Sequence, residues 1–167
     1  MSKLVQVATA TASASGQLTL TGINTDDAYL LTLMNIVPAT ANADVYLRVT
    51  ESGTASSDSD YDQAYKVLRA DTTFQNETRE NYDHWLLSGS MQTDTGKSRN
   101  GFVYIYNAQS TSDYTYITCH DIYFHTTILG DVLGGVYTQT TAVDGVEVKF
   151  DTGNIASGTA TLYRVTS

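Results

Sequence analysis

Three histidines, His84, His120 and His125, and a single cysteine, Cys119, are the side chains best suited to metal ligation or nucleophilic attack. His120 and His125 are an odd number of positions apart. On one strand they therefore project to opposite faces and cannot share a metal without a bulge. Asp121 and His125 share a face but stand about 13 Å apart at roughly 3.3 Å per residue, too far for common coordination. Hydrogen-bonded or solvated strand histidines are the expected state. Asp58-Ser59-Asp60-Tyr61-Asp62 opens with the alternate aspartates of a calcium loop. It then places Gln63 where the sharp turn needs glycine and Arg69 where a bidentate glutamate belongs. A solvated acidic loop, or a cap for a following helix, fits it better. Cys119 has no adjacent Lys or Arg to stabilise a thiolate and reads as a small buried hydrophobe. One cysteine also allows no intrachain disulfide. No metal and no cofactor is expected.

The nucleophile motif G-x-S-x-G, the dinucleotide motif G-x-G-x-x-G, the phosphate-binding G-x-x-x-x-G-K-[ST] and the zinc motif H-E-x-x-H are all absent from the sequence. Asn76-Glu77-Thr78 matches a glycosylation sequon, which reads as coincidence in a chain without a secretory leader. Sequence alone leaves sugar hydrolysis by paired carboxylates open, but no carboxylate falls in an evident apolar pocket and the fold favours binding or scaffolding. The chain is expected not to be an enzyme.

The elements that carry these residues are β-strands. The chain has 167 residues, enough for one domain with one core. Charged residues make up only 16%, and the polarity comes from 26 Thr and 14 Ser, with 12 Tyr beside them. Branched and aromatic side chains fit a pleated, half-buried surface. The net charge is −9 with no basic block, which argues against nucleic acid as a partner. No apolar run reaches the roughly 18 residues of a membrane helix, so no membrane partner is expected. Met1-Ser2-Lys3-Leu4-Val5-Gln6-Val7 has one cation and no long apolar stretch, so folding in a cytoplasm is expected.

Residues 1–16 hold a short candidate strand and then the small-residue run Ala8 to Gly16, expected as an extended arm or loop. Residues 17–167 should form one sandwich domain. Leu18 and Leu20, Val45 and Leu47, Val103 and Ile105, and Val146 and Val148 alternate with polar neighbours and should face the core, with Leu31, Leu33, Ile117 and Leu162. Ala28 to Val37 is more continuously apolar and reads as a central strand covered on both faces, stopping before Pro38. Asp60 to Ala70 is the one helical candidate, because Tyr61, Ala64, Tyr65 and Leu68 fall at i, i+3, i+4 and i+7; a warped edge strand is the competing reading. About nine or ten antiparallel strands at spacings of roughly 8–15 residues predict an all-β, jelly-roll-like sandwich with at most one short helix.

Tyr104, Tyr106, Tyr114, Tyr116 and Tyr123, with Phe102 and Phe124, crowd two strands expected to be neighbours. Part of this set must be core. An outward stripe would suit a wet protein interface or a sugar-stacking platform. Tyr104, Tyr106, Tyr114 and Tyr116 are the candidate interface. Trp85, with loops 52–59 and 93–100, is the candidate glycan contact.

Three stretches carry a resemblance: Gly22 through Thr40 with its Tyr29-to-Asn35-Ile36-Val37-Pro38-Ala39-Thr40 strand end, Gly101-Phe102-Val103-Tyr104-Ile105-Tyr106-Asn107, and the closing Gly153-Asn154-Ile155-Ala156-Ser157-Gly158-Thr159-Ala160-Thr161-Leu162-Tyr163. Together with the small-residue opening, these resemble small virion structural proteins of tailed bacteriophages of aquatic bacteria. The resemblance is weak over 52–97, and Arg164 stands where the pattern has glycine. No catalytic residue belongs to it. It implies a β-sandwich on a phage particle, assembled in the host cytoplasm. The expected role is a capsid decoration or cement protein, touching the major capsid protein or tail proteins. The alternative is a tail fibre or adhesin subunit that binds host glycan. A homo-oligomer, as a trimer, is expected from the aromatics and the symmetry of virions.

Overall fold

The computed structural model describes residues 3–166. Their regular structure is entirely strand: β1 (Lys3–Ser15), β2 (Gln17–Thr21), β3 (Tyr29–Pro38), β4 (Ala43–Glu51), β5 (Thr54–Ala55), β6 (Tyr61–Arg69), β7 (Gln75–Tyr82), β8 (Trp85–Met91), β9 (Arg99–Tyr106), β10 (Thr115–Phe124), β11 (Ile128–Tyr137), β12 (Gly145–Phe150) and β13 (Ile155–Thr166). Eight strands form one sheet in the order β1-β13-β3-β9-β10-β11-β6-β7. The second sheet runs β2-β12-β4-β5, with β8 pairing β4 as well. Every pairing is antiparallel, and the two sheets pack as a β-sandwich.

All twelve residues expected in the core are buried, because alternation sends them to the faces that meet. Full burial of one such side chain is worth roughly 1.5–3 kcal/mol. Inner-face residues line up across the eight-stranded sheet. One row runs Glu77, Tyr65, Leu133, Cys119, Val103, Leu31, Leu162 and Ala8. The row beside it, toward the other end of the strands, runs Gln75, Val67, Asp131, Asp121, Gly101, Leu33, Ala160 and Ala10.

The segment expected as a helix is strand β6, and it is not an edge, because β7 pairs outside it. Two-residue alternation wins there: Tyr61 and Gln63 are buried, and the Gln63 amide both donates to the Leu86 carbonyl and accepts the Leu86 N–H. β7 itself, Gln-Asn-Glu-Thr-Arg-Glu-Asn-Tyr, has no apolar alternation to betray it. The expected arm is also a strand. β1 pairs with β13 along its length, and Thr9 Oγ1 lies 3.0 Å from Thr161 Oγ1. Met1 and Ser2, where that arm was expected to begin, lie outside the described residues.

β3 is central, between β13 and β9, but only one of its faces is covered. Met34 on the other face is 58% exposed. The strand also runs through Pro38. A bulge breaks its register beside Asn35, which takes φ 53°, and Gly158, which takes φ 128°. A Cβ on Gly158 would sit 2.7 Å from Ile36 Cα, so glycine is required on both counts.

Candidate functional site

The uncovered face of the eight-stranded sheet is where the predicted aromatics meet. On β9, Val103 and Ile105 turn inward, so Phe102, Tyr104 and Tyr106 turn outward. Register sets Tyr106 opposite Tyr116, Tyr104 opposite Thr118, and Phe102 opposite His120 on β10. The Phe102 and His120 rings stack with centroids 5.5 Å apart, and Tyr104 and Tyr106 stack at 6.2 Å. Val132 continues the His120 row on β11, while Leu30 and Thr32 continue the Tyr104 and Phe102 rows on β3. Ile122, Met34 and Tyr116 are each about half exposed on the same face.

This ridge stands between two shallow depressions. One, of about 490 Å³, exists because Ala64 and Gly134 place little or no side chain between Tyr116, Val136 and Thr78. A Cβ on Gly134 would meet open space. The other, of about 600 Å³, lies between Met34, Phe102, His120, Ile122 and Tyr163. Tyr presents an apolar body with a polar tip, so the face can bury area against a partner and still satisfy its hydroxyls. Isolated exposed apolar residues are ordinary; a contiguous face marks a contact surface.

Of the predicted residues, Tyr104, Tyr106 and Tyr116 come together here. Tyr114 is exposed in the loop before β10, at the margin of the ladder, with its carbonyl 3.5 Å from Asn107 Nδ2. Tyr123 turns inward and is buried. Trp85 is not a surface contact. It is fully buried between the sheets, its Nε1–H within 3.2 Å of the Asp62 carbonyl and 3.3 Å of the Val136 carbonyl. Tyr61 meets its ring edge-on at 4.9 Å. Trp85 opens β8 opposite Leu47 of β4, and that pairing carries the indole into the interior. The loop expected over 93–100 also ends in strand, with Arg99 and Asn100 opening β9.

The expectation that no carboxylate is enclosed is overturned. Arg99 is fully buried and donates through Nε (3.0 Å) and Nη2 (2.6 Å) to Asp121 Oδ2. Asp131, 2% exposed, faces Asp121 across the β10–β11 ladder, and its N–H donates to Asp121 Oδ1 at 2.9 Å. Gly101 leaves room for this, since a Cβ there would come within 2.5 Å of Asp121 Cβ. Burial, reinforced by the Asp121 charge, pushes the Asp131 carboxyl up to about 8, with Arg99 pulling against it. The Cys119 thiol, pushed by burial to about 12, is no nucleophile. The signal was present in the sequence: Arg99 lies in phase with Val103 and Ile105, and Asp131 in phase with Leu133, which puts charge on core positions.

His84 Nδ1 lies 2.6 Å from Asp83 Oδ1, and its ring stacks on Tyr46 at 3.5 Å. Arg48 also binds Asp83. Burial holds the His84 imidazole below its ordinary range, against the pull of Asp83. Its Nε2 has no hydrogen-bond partner among the described residues, so no hydroxyl is coupled to it. His120 is exposed on the outer face, and His125 sits in the turn after β10 rather than on that strand. Asp58 and Asp60 precede β6, while Asp62 Oδ1 accepts the Asn81 N–H at 2.7 Å.

No protein-family model, no curated protein and no solved structure matches this chain.

Proposed function

We propose that this chain is a non-enzymatic structural subunit of a phage virion: a jelly-roll-like sandwich that decorates the capsid surface and docks through the outer face of its eight-stranded sheet. The observation that carries the reading is the uncovered ladder of Phe102, Tyr104, Tyr106, Tyr116 and His120. Aromatic residues of this kind dominate the buried centres of protein interfaces, and the net charge of −9 suits a basic acceptor surface. The strand and turn signatures shared with small phage virion proteins supply the particle. Residues 3–15 are committed to the sheet, so docking rests on the outer face and not on a free N-terminal segment. A trimer would present three such faces at once and gain avidity.

The test is co-sedimentation of the purified protein with undecorated phage heads. Wild type should pellet with heads, and the triple variant Phe102→Ser, Tyr104→Ser, Tyr116→Ser should remain in the supernatant while keeping a cooperative melt. A folded triple variant that decorates heads as wild type does would overturn the docking face. A copy number per virion too low to cover the capsid would move the protein to the tail.

The second reading is a tail fibre or adhesin subunit bound to host polysaccharide. The Tyr116-lined depression favours it, because sugar rings stack on exposed aromatic faces and this one is roomy. Glycan-array binding by wild type that disappears in Tyr116→Ser would support this reading against cement. Trp85 has no part in either.

A further inference from the structure

The eight-stranded sheet overhangs the smaller one, and the overhang leaves a cleft of about 350 Å³ between β8 and the inner faces of β6, β7 and β11. Asp131 forms part of its wall. Asp131 is almost fully buried, and its Oδ2 has no hydrogen-bond partner. The charges behind it do not balance. Two buried carboxylates, Asp121 and Asp131, share one guanidinium, and Asp121 takes both of the Arg99 bonds. A buried carboxylate without a cationic partner is costly even where a hydroxyl, here that of Tyr123, hydrogen-bonds it, so the cluster lacks one positive charge.

We propose that this cleft binds a primary ammonium group on an aliphatic stem, with Asp131 as its counter-ion. The stem would lie against Tyr65, Val67 and Leu129, and the Ser88 and Ser90 side of β8 would close over it. Aromatic faces also attract a cation. Glu77, on β7, adds a second negative group to the wall. The one cation on the cleft wall from β6, Arg69, is already engaged by Asp71 at 3.0 Å. His125, in the turn after β10, is the other basic group of the wall, and from β7 the Arg79 guanidinium hydrogen-bonds the Tyr65 side chain beside it. From β10, Cys119, Asp121 and Tyr123 face the cluster, and Asp44 lies behind β8, holding the Ser90 N–H at 2.7 Å. No metal is invoked: among the described residues no three His, Cys, Asp or Glu side chains are grouped to hold one.

Burial raises the Asp131 carboxyl, so at neutral pH and below a proton takes the place of the missing cation in the free protein. Ammonium binding therefore expels that proton from Asp131, and affinity rises with pH until the free carboxyl is ionised. The chemistry has two natural sources, a lysine side chain of a partner protein or a free polyamine.

The experiment is calorimetric titration of the full chain with Nα-acetyl-lysine methylamide, spermidine and, as a neutral control, methyl glucoside. It is run at about pH 6 and about pH 8.5 in buffers of different ionisation enthalpy. Both amines should bind at least tenfold more tightly at the higher pH, with about one proton released per site at about pH 6 and well under one at about pH 8.5, and methyl glucoside should give no heat. Tighter binding of the lysine compound identifies a partner's lysine as the natural occupant, and tighter binding of spermidine a free polyamine. Asp131→Asn should abolish amine binding and keep a cooperative melt. The wild-type pH arm decides the matter alone if that variant does not fold. No amine binding, binding without proton release, or equal binding of the glucoside would overturn the proposal. The outer-face docking test is independent of all these outcomes.

Discussion

The Trp85 indole fills the space over Gly135: a Cβ on Gly135 would stand 2.6 Å from Trp85 Nε1 and 3.1 Å from Ile117 Cγ1. Trp85 belongs to the smaller sheet and Gly135 to the larger, so this contact pins the two layers together. Gly135→Ala should destabilise the fold by about 1–3 kcal/mol through overpacking. Trp85→Ala should cost about 3–5 kcal/mol through the cavity it leaves. Urea denaturation followed by far-ultraviolet dichroism measures both. An unchanged midpoint for Trp85→Ala would return that residue to the surface.

Tyr116 should behave in the opposite way. It stands on the uncovered face, opposite Tyr106 and Val136, and supports no second layer. Tyr116→Ser should change stability by no more than about 1 kcal/mol, the scale of strand propensity. Its effect should appear in partner binding. A loss of several kcal/mol on denaturation would show that the face is covered in the native protein.

Asp131 makes stability depend on pH with a definite sign. Its folded pKa of about 8 lies above the roughly 3.9 of an unfolded aspartate. Between those values the folded chain holds a proton that the unfolded chain has lost. The stabilisation is complete at low pH and is lost as pH rises toward 8, at about 1.4 kcal/mol per pH unit at most. Asp131→Asn cannot titrate, so its stability should fall less than that of wild type between about pH 5 and pH 8. Parallel curves for the two proteins would contradict a buried, protonated Asp131.

Ile105 and Val148 are fully buried on opposing sheets. Ile105→Asp or Val148→Asp should cost several kcal/mol, since neither site offers a carboxylate a partner. Differential scanning calorimetry should show the cooperative transition lost or moved far down. Retention of the wild-type transition would mean that the sandwich interior admits water.

Cys119 should resist a thiol-specific disulfide reagent in the native protein. It is fully buried, and burial pushes its thiol to about 12. The reagent should label one thiol per chain after unfolding in guanidinium and almost none before. Rapid native labelling would place Cys119 at an accessible edge.

Much of the fold is visible along the chain, because alternation is local. Leu18 with Leu20, Val103 with Ile105, and Val146 with Val148 show their inward phase within a few residues, and all are buried. Local pattern fails where burial is carried by polar groups. Gln63 is buried through its bonds to Leu86, far along the chain, and its helix-like neighbours point the wrong way. β7 offers no apolar phase at all, and the small residues of β1 find their partner about 150 positions away.

The sequence by itself determined that this protein is all-β, which of its alternating apolar residues face inward, and that its aromatics gather on adjoining strands. Only the tertiary structure decided which faces are covered. Alternation tells two faces apart but cannot say whether a second layer lies over either one, since that depends on pairings between distant segments. For that reason the Tyr104 face is open, Trp85 is closed in between the sheets, and Asp131 is enclosed beside an Asp121 that takes both of the Arg99 hydrogen bonds.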